Sequence, residues 1–371
     1  MGKKKARPVC ITIGGYYGYG NVGDEAVLYS ILSSVAKKLP GIRVYVLTRD
    51  PCTIPAVEGI QVVAKSRRSP FSVISAFLLS QVYISGGGSL FQDRTSKKSL
   101  AYYCALVRLA KIFGCRVSIL SNGMGPLKNE SLCKRALSCA DFVSLRDRDS
   151  LLLAKRLMVK GASPVLSADP VFAYPFRDEL PRSFTIPAEP FFAVSLRPDA
   201  KGERLNVDAA AKAFITLRER GMSPVFVSMQ DSFDLSLARE MAKKTGGRVV
   251  QPRDANELFA LLCKAELAIG MRLHFLICAA MAGTVPVPVV YDPKVEGCMR
   301  DIGLSCSLFG VSPTAEEILQ AVDEAKSSYS AKAVKNACRT ARKKAIFDME
   351  CAVSFPEGAE EGEGKKFFAD T

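Results

Sequence analysis

The stretch "VCITIGGYYGYGNVGDEAVL", Val9 to Leu28, decides the fold. A short β-branched run ends at Gly14, a glycine-rich turn follows, and an amphipathic helix opens at Asp24 and Glu25. Strand, glycine turn and helix in that order form the first half of a βαβ unit. The texture recurs down the chain. "IRVYVLTRD", "VYISGGG", "RVSILSNG" and "DFVSLRD" read as strands, and "FSVISAFLLS", "SLAYYCALVRLAKIFG", "SLCKRALSCA" and "SLLLAKRLMV" as helices. Helices alternating with apolar strands predict a parallel sheet covered on both faces.

The pattern breaks at "DPVFAYPFRDELPRSFTIPAEP", Asp169 to Pro190, where five prolines replace periodicity. A second series then runs from "FFAVSLRP" through "SPVFVSMQ", "RVVQ" and "LAIG" to "VPVPVVY", with helical segments between. The expected organisation is an N-terminal domain over 1–175, a linker over 176–190, a C-terminal domain over 191–325, a helix over 326–353 and a disordered, Gly/Glu-rich tail over 354–371. A length of 371 residues suits two domains. The fold class expected is α/β, with two doubly wound domains facing across a cleft. Ligand-binding loops then belong at the carboxyl ends of the strands.

Composition bounds the function. The net charge of +14 favours anionic partners. The basic residues are scattered, without the aromatic interleaving of single-strand binders, so nucleic acid is not expected. One histidine and twelve cysteines without a CxxC pair argue against a metal site; the cysteines read as small buried hydrophobes of a reducing compartment. Apolar runs are too short to span a bilayer, and the start is not a signal peptide. A cytoplasmic protein follows, with membrane contact limited to peripheral association.

The glycine loops carry the first site candidates. Gly18, Gly20 and Gly23 form a formal GxGxxG, but Gly18 lies four residues past the strand end. Asp24 and Glu25 also stand where a dinucleotide pyrophosphate would need bare N–H groups. Carboxylates there suit the helix dipole and sugar hydroxyls better. "SGGGSLFQD", Ser85 to Asp93, and "SNGMGP", Ser121 to Pro126, are further glycine turns after strands. Three such loops on one sheet edge predict a polyhydroxylated or phosphorylated ligand. Arg146 in "SLRDRDS" and Arg197 in "SLRP" end strands in the two halves. The only histidine, His274, follows Arg272 in "GMRLHFLICAAMAG", at the mouth of an apolar helix. A helix N-terminus, a guanidinium and an imidazole together suit an anion and a proton transfer. "YDPK" adds Tyr291 and Lys294 with a weaker claim.

Taken in order, "GYYGYGNVGDEAVL", "ISGGGSLFQD", "SNGMGPL", "SLRDRDS", "ADPVF", "MRLHFLICAA" and "VVYDPKV" resemble the polysaccharide pyruvyl transferase family, of the CsaB type, from about Val9 to Gly303. The resemblance implies Rossmann-like domains similar to the GT-B glycosyltransferases, the N-terminal one on the acceptor side and the C-terminal one on the donor side. It implies phosphoenolpyruvate as donor and a pyruvyl ketal as product. The implied acceptor is an N-acetylmannosamine of a lipid-linked cell-wall precursor, in S-layer anchoring, on the cytoplasmic face of the membrane. It requires no cofactor and no metal.

On this resemblance Arg272, Leu273 and His274 serve the donor, with Arg146 and Lys294. His274 is the expected acid or phosphate ligand, and Asp24, set in the opposite domain, the expected acceptor-side base. Gly15, Asn21, Gly87, Gly88, Gln92 and Asp93 fall on the acceptor side. Three other functions compete: a nucleotide-sugar glycosyltransferase of the same architecture, a non-catalytic protein binding an anionic polymer or membrane surface, and a dinucleotide oxidoreductase.

Overall fold

The computed structural model describes residues 9–94, 96–158, 162–176, 185–198, 205–290, 292–304 and 312–353. The chain divides by contacts into two compact units. The first comprises Met1–Gly18, Leu28–Ser167 and Ile346–Thr371, and the second Tyr19–Val27 and Ala168–Ala345.

Unit 1 opens with β1 (Cys10–Gly14), α1 (Val22–Lys38), β2 (Arg43–Thr48) and β3 (Gln61–Ser66). It continues with α2 (Pro70–Leu79), β4 (Val82–Gly86), α3 (Lys97–Ile112) and β5 (Arg116–Asn122), then α4 (Glu130–Leu137), β6 (Phe142–Leu145), α5 (Arg148–Leu157) and β7 (Val165–Leu166). The sheet runs β3-β2-β1-β4-β5-β6-β7 and every pairing is parallel. β1 and β4 are buried throughout, as central strands covered on both faces must be. β3 and β7 have no counterpart in the sequence expectation. Both are edge strands, half-exposed or shorter than three residues, so neither needs a hydrophobic run.

Unit 2 contains a 3₁₀ turn (Pro170–Ala173), β8 (Phe191–Ser195), α6 (Val207–Glu219), β9 (Ser223–Val227), α7 (Asp231–Thr245), β10 (Arg248–Val250) and α8 (Ala255–Leu262). β11 (Leu267–Gly270), α9 (Leu273–Ala282), β12 (Val285–Pro288), α10 (Pro293–Asp301), α11 (Ala315–Ser328) and α12 (Ala331–Ala352) follow. The sheet order is β10-β9-β8-β11-β12, again parallel. Pro286 and Pro288 are tolerated because β12 is an edge strand. Each sheet reverses strand order once, between β1 and β4 and between β8 and β11, and such switch points are where this architecture binds ligands.

The contact boundary falls between Ser167 and Ala168, upstream of 176–190, of which 177–184 lie outside the described residues. The physical reason is local. Val171 and Phe172 of "DPVF" are buried, and Tyr174 stacks on Phe259 of α8 at 5.4 Å. The span 326–353 contains the end of α11 and all of α12, whose residues belong to unit 2 through Ala345 and to unit 1 from Ile346. In unit 1 Ser118 Oγ donates to the Ala352 carbonyl at 2.9 Å. The tail 354–371 lies outside the described residues.

Seven of the eleven described cysteines are buried, and Cys52 and Cys263 are exposed. Burial pushes the Cys115 thiol up to about 11 and the Cys338 thiol up to about 12. A thiol reagent at neutral pH should therefore label Cys52 and Cys263 within minutes, and Cys115 and Cys338 only after denaturation. Peptide mapping before and after urea checks this.

Candidate active site

In unit 1 the glycine turn after β1 is shaped by tyrosines. Tyr17 folds back so that its hydroxyl donates to the Gly86 carbonyl at 3.0 Å. A Cβ on Gly15 would lie 2.3 Å from the Tyr17 ring, and one on Gly14 would lie 2.6 Å from the Tyr83 hydroxyl. Gly15 is therefore a packing requirement. Its carbonyl accepts from Arg67 Nη1 at 3.0 Å and from the Tyr103 hydroxyl at 3.3 Å. Arg67, stacked on Tyr102, ties β3 to this loop; no sequence signal linked two positions 52 residues apart.

The turn after β4 holds Gly87 and Gly88 at positive φ, 49° and 79°. Beside it Arg146, only 6% exposed, donates through Nη2 to Ser89 Oγ at 2.7 Å. A Cβ on Gly123 would lie 3.0 Å from its guanidinium, so Gly123 makes room for it. Thus Arg146, Gly87, Gly88 and Gly15 share the carboxyl edge of one sheet. Gln92 is half-buried in the following loop. Asp93 departs from the acceptor-binding expectation. It is buried, and its two oxygens accept from the Lys128 and Asn129 N–H groups at 2.8 and 2.9 Å, so it braces the loop before α4.

In unit 2 the turn from β11 into α9 places the histidine. The Met271 N–H donates to the Ser195 carbonyl at 2.9 Å, pinning the turn to the end of β8. Arg272 is the N-cap of α9, and its own side chain makes no capping hydrogen bond to that N-terminus. Its first-turn N–H groups and the helix dipole are left for an anion. Arg272 itself is turned to Asp234 of α7. Nε donates to Oδ2 at 3.1 Å, and Nη2 donates to Oδ1. Both residues are buried, and the Gln230 N–H also donates to Asp234, at 3.0 Å. The fork that the sequence assigned to a ligand is thus held on its Nε–Nη2 edge by a protein carboxylate. What remains for a ligand is the Nη1 side.

His274, in the first turn of α9, has its Nε2 3.4 Å from Oδ2 of Asp169. The Asp169 side chain is fully buried and that of His274 is 13% exposed. At that separation the contact is an ion pair when the imidazole is protonated. It is poorly directed for a hydrogen bond, so among the described residues Nε2 is buried without a hydrogen-bond partner. Asp169 Oδ1 accepts from the Val171 N–H at 3.1 Å, which fixes the carboxylate from below. The other ring nitrogen faces α1: a Cβ on Gly23 would lie 2.3 Å from Nδ1. Sequence reasoning missed Asp169 and Asp234. The Asp-Pro start of the 3₁₀ turn was visible, but neither carboxylate lies near its partner in the chain.

The segment carrying Asn21 and Asp24 groups by contacts with His274, where the sequence expectation set Asp24 in the opposite domain. Two links explain it: the Val22 N–H donates to the Met229 carbonyl at 2.9 Å, and Asn21 bridges Gln230. Asn21 caps its own helix, Oδ1 accepting from the Gly23 N–H at 3.1 Å. Asp24 and Glu25 stand in the first turn of α1. Leu273 is buried in the α9 core. Lys294, second in α10, sits 3.5 Å from Asp292, and Arg197 follows β8 half-buried. Tyr291 lies outside the described residues.

Two parallel α/β units, each reversing its strand order once, define a GT-B-like α/β protein. Solved structures agree on the fold. The Staphylococcus aureus MnaA–UDP co-structure matches with a TM-score of 0.64 at 10% identity, over 92% of this chain and 94% of that one. A putative UDP-N-acetylglucosamine 2-epimerase from Listeria monocytogenes matches at 0.60 and 9%, over 92% and 94%. UDP-GlcNAc 2-epimerase from Neisseria meningitidis matches at 0.58 and 10%, over 92% and 97%. No curated protein matches the sequence. The family model for polysaccharide pyruvyl transferase matches residues 21–293, and the chain belongs to that family, whose members are transferases of pyruvyl groups onto polysaccharide.

Two predictions follow from the geometry around His274. Alanine at position 23 should favour a helix by about 1 kcal/mol on propensity alone. Here Gly23→Ala drives a methyl into the imidazole, so it should destabilise by about 1–3 kcal/mol and lower the melting temperature. A melting temperature at or above wild type would refute the packing. Asp234→Ala leaves the Arg272 guanidinium buried and unpaired. It should cost about 3–5 kcal/mol in urea unfolding, with Asp234→Asn intermediate.

Proposed function

We propose that this chain moves the pyruvyl group of phosphoenolpyruvate onto two hydroxyls of a sugar as a ketal, releasing phosphate. The observation that carries the reading is the N-terminus of α9, where Arg272 at the cap makes no capping side-chain hydrogen bond and His274 stands in the first turn. The donor is a small polyanion. Free N–H groups, the helix dipole and the Nη1 side of Arg272 match its phosphate or carboxylate. The resemblance also assigns Arg146, at the sheet edge of unit 1, to an anion; its guanidinium is buried and held by Ser89.

Ketal formation needs a proton at C3 of the enol and positive character at C2. One sugar hydroxyl adds to C2, the bond from C2 to the phosphate oxygen breaks, and the second hydroxyl closes the ring. The hydroxyls give up two protons; one balances that gained at C3 and the other leaves with the phosphate. In this reading His274 supplies the C3 proton, and the Asp169 carboxylate beside its Nε2 favours the protonated ring. Asp24, next in sequence to the glycine that touches the imidazole, is the proposed base for the hydroxyls. Gly15, Gly87, Gly88 and Gln92 are the acceptor-side candidates. The acceptor proposed is an N-acetylmannosamine of a lipid-linked cell-wall precursor used in S-layer anchoring, which places the enzyme at the cytoplasmic face of the membrane.

The glycosyltransferase reading draws on the UDP of the MnaA co-structure and the UDP-GlcNAc bound to the Neisseria meningitidis epimerase. One titration separates the two. Phosphoenolpyruvate should raise the melting temperature of wild type and of His274→Gln, and should not raise that of Arg272→Ala. His274→Gln should lose at least about two orders of magnitude in phosphate release with acceptor present. A shift with UDP-GlcNAc and none with phosphoenolpyruvate would replace this reading with the glycosyltransferase one.

A further inference from the structure

Between Glu58 and Glu130 the chain carries ten lysines and arginines and a single acid, Asp93. That acid is buried and spent on two backbone N–H groups. This one segment therefore supplies most of the net charge of +14. It folds into β3, α2, β4, α3 and β5 of unit 1. Both crossovers progress across the sheet in the same direction, so α2 and α3 cover the same face. Their ends meet where Phe77 packs on Phe113 with ring centroids 6.4 Å apart.

Helix α2, "PFSVISAFLL", contains no charged residue. Its inner face, Val73, Ala76 and Phe77, is buried against the sheet. Its outer face is apolar as well: Phe71 is 86% exposed, Leu78 58% and Leu79 50%, at the helical spacing that aligns them in one stripe. Ile112, at the end of α3, is 73% exposed. Scattered exposed hydrophobes are ordinary, but an aligned stripe on an uncharged helix is not. The same face carries four exposed cations without an ion pair among the described residues: Arg68, just before α2, and Lys97, Lys98 and Arg108 of α3.

We infer that the outer face of α2 and α3 docks on an anionic lipid bilayer. The aromatic and aliphatic knobs enter the headgroup boundary while the four cations face acidic lipid. Charge complementarity selects this occupant. A second copy of the chain would bring the same cations against each other, and a nucleic acid would leave the stripe unused. Among the described residues no helix is long and apolar enough to cross a membrane, so the contact is one of surface insertion. The inference rests on surface chemistry alone and holds whatever the donor.

The test is flotation of the full chain with vesicles of phosphatidylcholine alone and of phosphatidylcholine with phosphatidylglycerol. Wild type should float with the anionic vesicles only, and less as salt rises. Arg68→Gln/Lys97→Gln/Lys98→Gln should bind about two orders of magnitude more weakly, at about fivefold per charge. Phe71→Ser/Leu78→Ser should lose the binding that survives at high salt. All five positions are exposed, and unchanged thermal melting of each variant would verify its fold. Wild type that fails to float with anionic vesicles overturns the inference. So does Phe71→Ser/Leu78→Ser binding like wild type, which would leave only diffuse charge. A dimer in sedimentation equilibrium that the serine variant dissociates would assign the face to self-association instead.

Discussion

A helix as apolar as α9 can enter the core of unit 2 only if the arginine at its mouth is neutralised. Nine of its ten residues are buried, and Arg272 at the N-cap goes under with them. Asp234 provides the neutralisation, bound in turn by the Gln230 N–H of its own helix. A buried pair of this kind is weak evidence of net stability, since desolvation offsets much of the attraction. Its effect is geometric: it fixes where α9 begins and therefore where His274 stands. The Met271–Ser195 hydrogen bond does the same from the strand side.

With α9 set, the surroundings of His274 leave the ring little choice. Asp169 lies below Nε2, and the first turn of α1 lies against Nδ1 with only a glycine between. Any side chain at position 23 would occupy the ring's space. The glycine that completes the formal GxGxxG is thus required for close packing on an imidazole, while Gly18 and Gly20 supply positive φ for the turn. A dinucleotide fingerprint and this arrangement share the spacing because both need backbone to approach something closely. Asp50, which a ribose would need, instead caps a short turn by accepting from the Cys52 N–H.

Unit 1 follows the same logic with different residues. Tyr17, Tyr103 and Arg67 clamp the turn after β1, and Gly123 leaves room for Arg146. The parts of these sites that lie at strand ends were legible in the chain, because a glycine or arginine directly after a β-branched run announces its own position. Gly15, Gly87, Gly88, Arg146 and Arg272 were singled out that way, and the structure sets each of them just past the end of a strand. The partners of Asp93 were not legible: it ends a glycine loop, and its carboxylate turns inward to two N–H groups beyond β5.

What the sequence by itself determined is the alternation of inner strands and helices, the two parallel sheets and the helix mouth that carries the single histidine. These depend on local periodicity, turn chemistry and β-branching, all of which act over a few residues. Only the tertiary structure decided that Arg272 is engaged by Asp234, that Asp169 backs His274, and that the start of α1 groups with His274. Partners separated by 38 residues for the first pair and 105 for the second leave no trace in local pattern. The same holds for the outer face of α2, which reads as an ordinary buried helix until the fold shows which of its two apolar faces the sheet covers.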